Sequence, residues 1–257
     1  MRILLSNDDG ILAPGLAALR AVLEDFGEVT VVAPATPQSA AGSGITVTRP
    51  LTVKEITVRG PCAFTGLSVD GRPADCVRLA LRKLLPEPPD LVLSGINRGA
   101  NVGIHVFYSG TVAAAAEGAL WGLPAVAFSA AVAGDREPPF DRVAEHCRKV
   151  LKALLGAGLE AGDLVNVNVP DLHAGRPAGL HVVPQSTSPF SETYDQATDT
   201  EGLPTYALGD YQMHPEEADS DVASLHERFI TVTPLGIDRT RRERMAGLDG
   251  IDWSWLG

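Results

Sequence analysis

Cysteine is scarce in this sequence of 257 residues, which holds three. They are odd in number, widely spaced and set in apolar or helical surroundings: Cys62, Cys76 and Cys147. This pattern indicates buried thiols in a reducing compartment and argues against a disulfide framework or a cysteine zinc site. A long apolar run is also missing, and the first residues already form a strand that ends in acid. We therefore expect no membrane span, no signal peptide and a cytoplasmic protein.

Basic residues are in the minority: 21 lysines and arginines stand against 32 aspartates and glutamates, which gives a net charge of −11. A long nucleic-acid groove needs a basic stripe that replaces counterions, so we expect no nucleic-acid partner. A small phosphorylated substrate is compatible with this charge only where local positive charge is supplied.

Several common catalytic patterns are missing as well. The sequence has no G-x-S-x-G nucleophile elbow, no Walker phosphate loop and no H-E-x-x-H metal pair. The G-x-G at 42–44 precedes a β-rich stretch instead of a helix, which makes a dinucleotide fingerprint a poor interpretation. The six histidines are isolated in the sequence, so a histidine zinc site is not expected.

Apolar strands alternate with amphipathic helices along much of the chain. The predicted core strands are 2–6, 28–33, 90–94, 125–129 and 164–169. The predicted helices are 14–26, 72–85, 110–121 and 140–156. This alternation is typical of an α/β fold with a mostly parallel sheet and helices on both faces. The alternating, β-rich stretch at 45–65 predicts an antiparallel insertion.

The pattern changes towards the end of the chain, so we predict a catalytic core over 1–185 and a C-terminal extension over 186–257. Residues 186–220 are polar and predict an exposed arm or hairpin, and 229–233 predicts a returning strand. The tail, 240–257, carries two tryptophans whose large apolar area needs a partner surface: Trp253 and Trp255.

Two adjacent carboxylates, Asp8 and Asp9, directly follow the first strand. In parallel sheets, ligands gather beyond the carboxyl ends of the strands. Side chains alternate along a strand, so the pair can address one centre only where the chain turns, and Gly10 permits that turn. Close carboxylates repel, which raises one pKa or requires a cation between them. Capping of the helix near Pro14 would need one aspartate and not an adjacent pair.

Two further polar clusters are expected at the same sheet edge. Residues 94–103 combine glycines with two asparagines, which suits a metal or an anion. Residues 108–118 predict a turn that feeds an alanine-rich helix, whose first N–H groups can face a phosphate. Taken singly, the clusters also fit a Gly/Asn turn and simple helix caps. Together with the acidic pair they predict a metal site with oxygen ligands, made of Asp8, Asp9, an asparagine and a serine from 34–44. Such ligands select Mg²⁺ or Mn²⁺.

Four motifs occur in order between residues 3 and 240: ILLSNDDGILAPGL, VVAPATPQSAAGSGIT, DLVLSGINRGANVG followed by YSGTVAAAAEG, and VTPLGIDRT. At these residues the chain resembles the survival protein SurE family of metal-dependent 5′/3′-nucleotidases. The resemblance implies one divalent metal ion per subunit, Mg²⁺ or Mn²⁺. The metal ligands that it implies are Asp8, Asp9, Ser39 and Asn97.

The resemblance also implies a Rossmann-like core and a phosphate pocket. The implied pocket residues are Asn101, Ser109, Gly110 and Thr111. A further implication is a homodimer or homotetramer in which the C-terminal segment crosses to a neighbouring subunit. The polar arm and the tryptophan-bearing tail agree with that arrangement.

The activity that the resemblance implies is hydrolysis of nucleoside 5′- and 3′-monophosphates, with Asp8 and Asp9 as catalytic residues. Attack by water and covalent attack by Asp8 both remain open. A phospho-accepting receiver-like signalling module is one alternative, although it needs an aspartate where this chain has Ser94-Gly95-Ile96-Asn97. A nucleoside hydrolase is the other alternative. It does not require a phosphate on its substrate, so the Ser-Gly-Thr helix start argues against it.

Overall fold

Strands and helices alternate along most of the chain. The structure is a computed structural model that describes residues 1–213 and 217–251, with side chains described for 1–209 and 217–251. The elements are β1 (Arg2–Ser6), α1 (Pro14–Leu23), β2 (Glu28–Pro34), β3 (Val53–Val58), β4 (Phe64–Val69), α2 (Pro73–Leu79), β5 (Leu91–Arg98), α3 (Gly110–Leu120), β6 (Ala125–Ala130), α4 (Phe140–Ala157), β7 (Leu164–Val169), β8 (Gly179–Val182), β9 (Phe190–Thr198), β10 (Pro204–Met213), α5 (Asp221–His226), β11 (Phe229–Leu235) and α6 (Arg242–Asp249). A short 3₁₀ helix at Gly103–Phe107 precedes α3.

One mixed sheet contains nine of the described strands, in the order β3-β4-β2-β1-β5-β6-β7-β11-β8. β1 runs parallel between β2 and β5, with Leu4 opposite Thr30 on one side and Val92 on the other. Within this sheet the β3–β4 and β7–β11 pairs are antiparallel and the remaining described pairs are parallel. The predicted α/β fold with a mostly parallel sheet is confirmed. The carboxyl ends of β1, β2 and β5 therefore meet at one edge.

Helices cover both faces of the sheet because alternate residues of each central strand point to opposite faces. In β1, Ile3 and Leu5 belong to the core layer formed with α1 and α4, while Leu4 belongs to the layer formed with α2 and α3. α3 approaches the sheet closely through its small residues. A Cβ added at Gly118 would lie 2.7 Å from the Cβ of Val92.

Two predicted boundaries are wrong. The helix predicted over 14–26 ends at Leu23, because a turn in which the N–H of Phe26 donates to the Leu23 carbonyl at 2.9 Å closes it. The strand predicted over 90–94 continues to Arg98, because β6 keeps pairing with it after a shift in register. Part of the predicted polar loop therefore lies on a strand.

The β-rich stretch predicted over 45–65 is only partly a strand pair. β3 and β4 pair antiparallel, as expected, but residues 45–52 hold no strand. β4 also pairs in parallel with β2, so the insertion widens the main sheet instead of forming a separate unit. The helix predicted over 72–85 ends in a π-helical turn, Ala80–Leu84, which continues α2.

The polar arm contains a hairpin, β9 and β10, that pairs only with itself in the described structure, and every residue of β9 is exposed. The returning strand, β11, lies in the main sheet between β7 and β8. The division of the chain at residue 185 stays a prediction. Trp253 and Trp255 lie outside the described residues, so the prediction for them stays open.

The three cysteines are free thiols, and two of them, Cys76 and Cys147, are buried as expected. Cys62 is only half-buried, because it lies in the turn between β3 and β4 at the sheet edge. Among the described residues no helix is both long and apolar enough to cross a membrane.

Candidate metal and phosphate site

A tight turn after β1 brings the two aspartates to the sheet edge. The buried side chain of Asn7 closes this turn: its amide donates to the Gly10 carbonyl at 2.9 Å and accepts from the Gly10 N–H at 3.2 Å. Gly10 has a φ of +97°, a conformation that L side chains rarely adopt. The role of Asn7 was not predicted from the sequence, although it lies directly beside the acidic pair.

Asp8 is buried and rests against the first residues of α3. The hydroxyl of Thr111 donates to Asp8 Oδ1, and the Thr111 backbone also bonds to this carboxylate. The fit leaves no room for a side chain at Gly110, where a Cβ would lie 2.7 Å from the Cβ of Asp8. Burial raises the pKa of Asp8 to about 6, the Thr111 bond opposes this rise, and the negative charge of Asp9 adds to it.

Asp9 is held from the opposite side, by β5. Its Oδ2 accepts the backbone N–H of Arg98 at 3.2 Å. Burial raises the pKa of Asp9, while the Arg98 N–H bond and the Arg98 charge lower it. The two carboxylates are therefore close, partly desolvated and costly to keep ionised together. A cation between them would offset that cost.

Asn97 and Ser39 place neutral oxygens near this pair. The Asn97 amide donates to the Gly99 carbonyl at 2.8 Å, which leaves its Oδ1 as the acceptor that remains. The loop that carries Ser39 is tied to the site by its neighbour, since the Gln38 N–H donates to the Asp8 carbonyl at 2.8 Å. Ser39 itself is exposed at the mouth of the site.

Asn101 is fixed by two buried asparagines of β7, Asn166 and Asn168. The Asn101 N–H donates to Asn168 Oδ1 at 2.8 Å, and both asparagines donate to the Asn101 carbonyl, at 2.7 and 3.1 Å. The Asn101 side-chain amide donates to Ser129 Oγ at 2.8 Å. The sequence analysis treated β7 only as an apolar strand. Two asparagines on alternate positions of that strand were the signal that it missed.

The first residues of α3 divide their hydrogen bonds between the helix and Asp8. Ser109 Oγ accepts the Val112 N–H at 3.0 Å and so caps the helix, which was the structural alternative considered for it. Its own O–H stays available as a donor. Thr111 was expected to face a phosphate, but its fully buried hydroxyl points at Asp8.

One pocket of about 240 Å³ brings most of the predicted residues together. Those that line it are Asp8, Asp9, Ser39, Asn97, Asn101 and Ser109. Gly110 and Thr111 lie behind Asp8 and are not part of the wall. Arg98, His105 and Tyr108 also line the pocket and were not predicted. Burial lowers the pKa of His105, which the sequence analysis had set aside as an isolated histidine.

A buried carboxylate from the C-terminal part of the chain supports this wall. Asp221 Oδ2 accepts the Gly103 N–H at 2.9 Å, and its Oδ1 accepts the N–H groups of Ser186 and Val222, both at 2.8 Å. Gln185 adds a bond at 2.8 Å to the Gly103 carbonyl. The base of the hairpin is thus joined to the 3₁₀ helix that leads into α3.

The ligand atoms of the site indicate which metal ion it can bind. No cluster of three His, Cys, Asp or Glu residues suited to a metal occurs in the described residues, so a cation here would have two carboxylates and otherwise neutral oxygens. Hard oxygen donors of this kind suit Mg²⁺ or Mn²⁺ and leave positions open for water or a phosphoryl oxygen. The guanidinium of Arg98 donates to the Gly134 carbonyl at 3.4 Å, and its positive charge lowers the pKa of Asp9.

The fold and the pocket define an α/β protein with an oxygen-lined site at the carboxyl edge of a parallel sheet. The family model for Survival protein SurE matches residues 3–192. This chain belongs to the SurE family. The resemblance read from the four motifs is thereby confirmed.

Similar proteins match over the whole chain. A protein of Heliobacterium modesticaldum named 5′-nucleotidase SurE is 41% identical, over 100% of this chain and 92% of that protein. The 5′-nucleotidase SurE 1 of Thermus thermophilus is 42% identical, over 98% of each chain. The crystal structure of SurE protein from Aquifex aeolicus superposes with a TM-score of 0.81 at 37% identity, over 97% of this chain and 98% of that one.

Proposed function

We propose that this protein hydrolyses nucleoside 5′- and 3′-monophosphates to nucleoside and inorganic phosphate in a metal-dependent reaction. The observation that carries the proposal is one pocket in which two aspartates, a serine and an asparagine lie beside the start of α3. Relatives matched over their whole length are named 5′-nucleotidases, and this does not favour a receiver-like module or a nucleoside hydrolase.

Four residues are proposed to hold one divalent ion per subunit, Mg²⁺ or Mn²⁺: Asp8, Asp9, Ser39 and Asn97. All four offer oxygen, and the remaining acceptor of Asn97 is the atom that a cation needs. The raised pKa values of the aspartates fit a cation, which favours their charged forms. Such an ion, when bound, offsets charge on a phosphoryl oxygen and lowers the pKa of water.

The phosphate is proposed to lie against Asn101 and Ser109, with Gly110 and Thr111 behind Asp8 completing the start of α3. One amide hydrogen of Asn101 is used by Ser129, and the second is free to donate. The Ser109 hydroxyl also keeps its proton as a donor. N–H groups at a helix start carry partial positive charge, and with Arg98 they offset the acidic surface of the protein.

In the proposed reaction, water attacks phosphorus, the ester P–O bond breaks and the nucleoside leaves as an alkoxide, which takes up the proton that the attacking water loses. Asp8 and Asp9 are the proposed catalytic residues, and one carboxylate takes the proton of the attacking water. Thr111 already occupies Oδ1 of Asp8 in a buried contact, which favours attack by water over covalent attack by Asp8. Thr111 is therefore assigned a positioning role, because its buried hydroxyl holds Asp8 instead of facing the phosphate.

Phosphate release tests this proposal. Purified protein is assayed with nucleoside 5′- and 3′-monophosphates and with a simple alkyl phosphate, in Mn²⁺, in Mg²⁺ and in chelator. We expect release from the nucleotides that stops in chelator and returns when metal is added. Asp9→Asn should lower kcat by at least about 100-fold, and Asp135→Asn, at an exposed carboxylate, serves as the control. Full release in chelator would contradict the proposal.

The subunits are proposed to form a homodimer or homotetramer with exchanged C-terminal segments. The support is a hairpin with exposed apolar side chains, among them Tyr194, Tyr206 and Leu208, since two strands alone are marginally stable in water. A cytoplasmic location is proposed from the three free thiols. Light scattering tests the proposed oligomer, and cell fractionation tests the proposed location.

A further inference from the structure

An exposed aromatic ring belongs to the wall of the proposed metal pocket. Tyr108 lines the same cavity as Asp8, Asp9 and Asn97, and it immediately precedes Ser109 at the start of α3. The residue is 54% exposed. Its phenol hydroxyl has no hydrogen-bond partner among the residues that the structure describes. Tyr108 is therefore an exposed aromatic residue in the wall of a pocket whose other lining groups are mostly polar.

The backbone of Tyr108 is fixed even though its ring is not packed. Its N–H donates to the His105 carbonyl at 3.0 Å, and its carbonyl accepts the Gly42 N–H at 3.0 Å. The second bond joins it to the loop that carries Ser39, and the first joins it to the 3₁₀ helix. The ring thus starts from a fixed point next to both proposed binding groups, which limits the entropy lost when a ligand stacks on it.

The size of the pocket leaves most of a nucleotide outside it. Pockets that enclose whole drug-sized ligands measure about 300 to 1,000 Å³. The pocket here, at about 240 Å³, suits a cation and a phosphoryl group better than a complete nucleoside monophosphate. The sugar and base of a substrate anchored at Ser109 must extend to the rim, where Tyr108 lies.

We propose that the Tyr108 ring stacks on the nucleobase of the substrate and that this contact makes the site nucleotide-selective but tolerant of base identity. The proposal rests on the nucleotidase function proposed above and names how its substrate class is recognised. Stacking uses the π-face that every base has, so it discriminates little between bases. Removing a stacking ring weakens binding about 5- to 150-fold per base.

The neighbouring aromatic residue, Phe107, provides a matched control. It is 46% exposed, but it lines a different cavity of about 390 Å³, together with Gln185 and Pro189. One face of its ring is also covered by Arg239, whose guanidinium carbon lies 5.0 Å from the ring centroid. Phe107 therefore has a similar size and exposure to Tyr108 but does not line the metal pocket.

The experiment compares Tyr108→Ala, Tyr108→Phe and Phe107→Ala in Mn²⁺. KM is measured for the four common ribonucleoside 5′-monophosphates, and inhibition constants are measured for ribose 5-phosphate and inorganic phosphate. For Tyr108→Ala we expect KM to rise about 5- to 150-fold for every nucleotide, most for purines, with both inhibition constants unchanged. Tyr108→Phe should restore KM to within about twofold, and Phe107→Ala should leave KM unchanged.

Two results overturn the stacking proposal: an unchanged KM in Tyr108→Ala, or a rise in KM matched by equal rises in both inhibition constants. Calorimetric binding of adenosine monophosphate to the same variants gives an independent reading. If the wild type releases no phosphate, the proposed nucleotidase function is wrong. Stacking is still supported in that case if adenosine monophosphate binds more weakly to Tyr108→Ala than to the wild type in the calorimeter. Should Tyr108→Ala fail to fold, Tyr108→Leu replaces it, and the same KM comparison decides.

Discussion

The strand-end site and the β9–β10 hairpin are both polar in sequence but opposite in structure. In the site, Asp8, Asp9, Asn97 and Asn101 each have a hydrogen bond to a segment or turn that fixes them. In the hairpin, every residue of β9 is exposed, and the pair forms its own small sheet. Asp8, Asp9 and Asn101 at the site are joined to distant segments of the fold, whereas β9 is exposed along its whole length.

The site is preorganised within one subunit, whereas the hairpin leaves apolar side chains exposed. The site needs a cation, and the structure already orients oxygens for one, which is the preorganisation that catalysis requires. The hairpin leaves apolar side chains facing water, which supports the proposed contact with another subunit. Asp221 joins the two regions, because it accepts the N–H of Gly103 near the site and that of Ser186 at the hairpin base.

The largest effect is expected when the side chain that joins these two regions is removed. Asp221→Ala removes the acceptor of three backbone N–H groups, at Gly103, Ser186 and Val222. Unsatisfied buried donors cost about 1 to 3 kcal/mol each, so we expect a loss of about 3 to 5 kcal/mol in the free energy of unfolding. Denaturant unfolding measures it, with Asp219→Asn at an exposed position as the control. A loss below about 1 kcal/mol would show that the junction does not matter.

A smaller effect is expected on the free energy of unfolding in chelator, where no cation offsets the repulsion between Asp8 and Asp9. The pKa of Asp8 is about 6 in the folded chain against 3.8 for a free aspartate, so the folded state binds more protons between these values. The free energy of unfolding therefore falls as pH rises through this range. Relative to Asp8→Asn, the wild type should lose about 2 kcal/mol between pH 4 and pH 8, because the unfolded chain is already more than half ionised at this position at pH 4. A difference that is independent of pH would contradict the raised pKa.

The smallest expected effect on the subunit lies in the hairpin. Replacing Tyr206 and Leu208 by serine should change the free energy of unfolding of the subunit by less than about 0.5 kcal/mol, because both residues are exposed. The same variant should lower the mass in solution if the hairpin is the subunit contact, as proposed. Light scattering decides this, and Leu120→Ser on α3 is a control of similar exposure. An unchanged mass would place the contact elsewhere.

The sequence was sufficient for the mostly parallel arrangement of the sheet and for the acidic pair at its carboxyl edge. Asp8 and Asp9 follow an apolar strand, and this local pattern predicted both the strand and the position of the pair. The end of β5 was not predictable, because β6 extends it by pairing across a shift in register after Ser94. Such pairing depends on a partner strand that the local pattern does not contain.

The bonds that hold the site were largely hidden from the sequence because they join distant residues. Thr111 and Asp8 are 103 positions apart, and Gly103 and Asp221 are 118 apart. Helix-start chemistry alone predicted a phosphate contact for Thr111, and only the fold brings Asp8 within its reach. His105 and Tyr108 lie in the pocket wall for the same reason.

Metal affinity tests most directly the central claim, that the carboxylates after β1 form the cation site. Calorimetric titration with Mn²⁺ is made on the wild type, Asp8→Asn and the control Asp135→Asn. We expect one ion per subunit for the wild type and the control, and an affinity at least about 100-fold weaker for Asp8→Asn, because a neutral amide replaces one of the two carboxylates that line the pocket. Equal affinity in all three proteins would contradict the account.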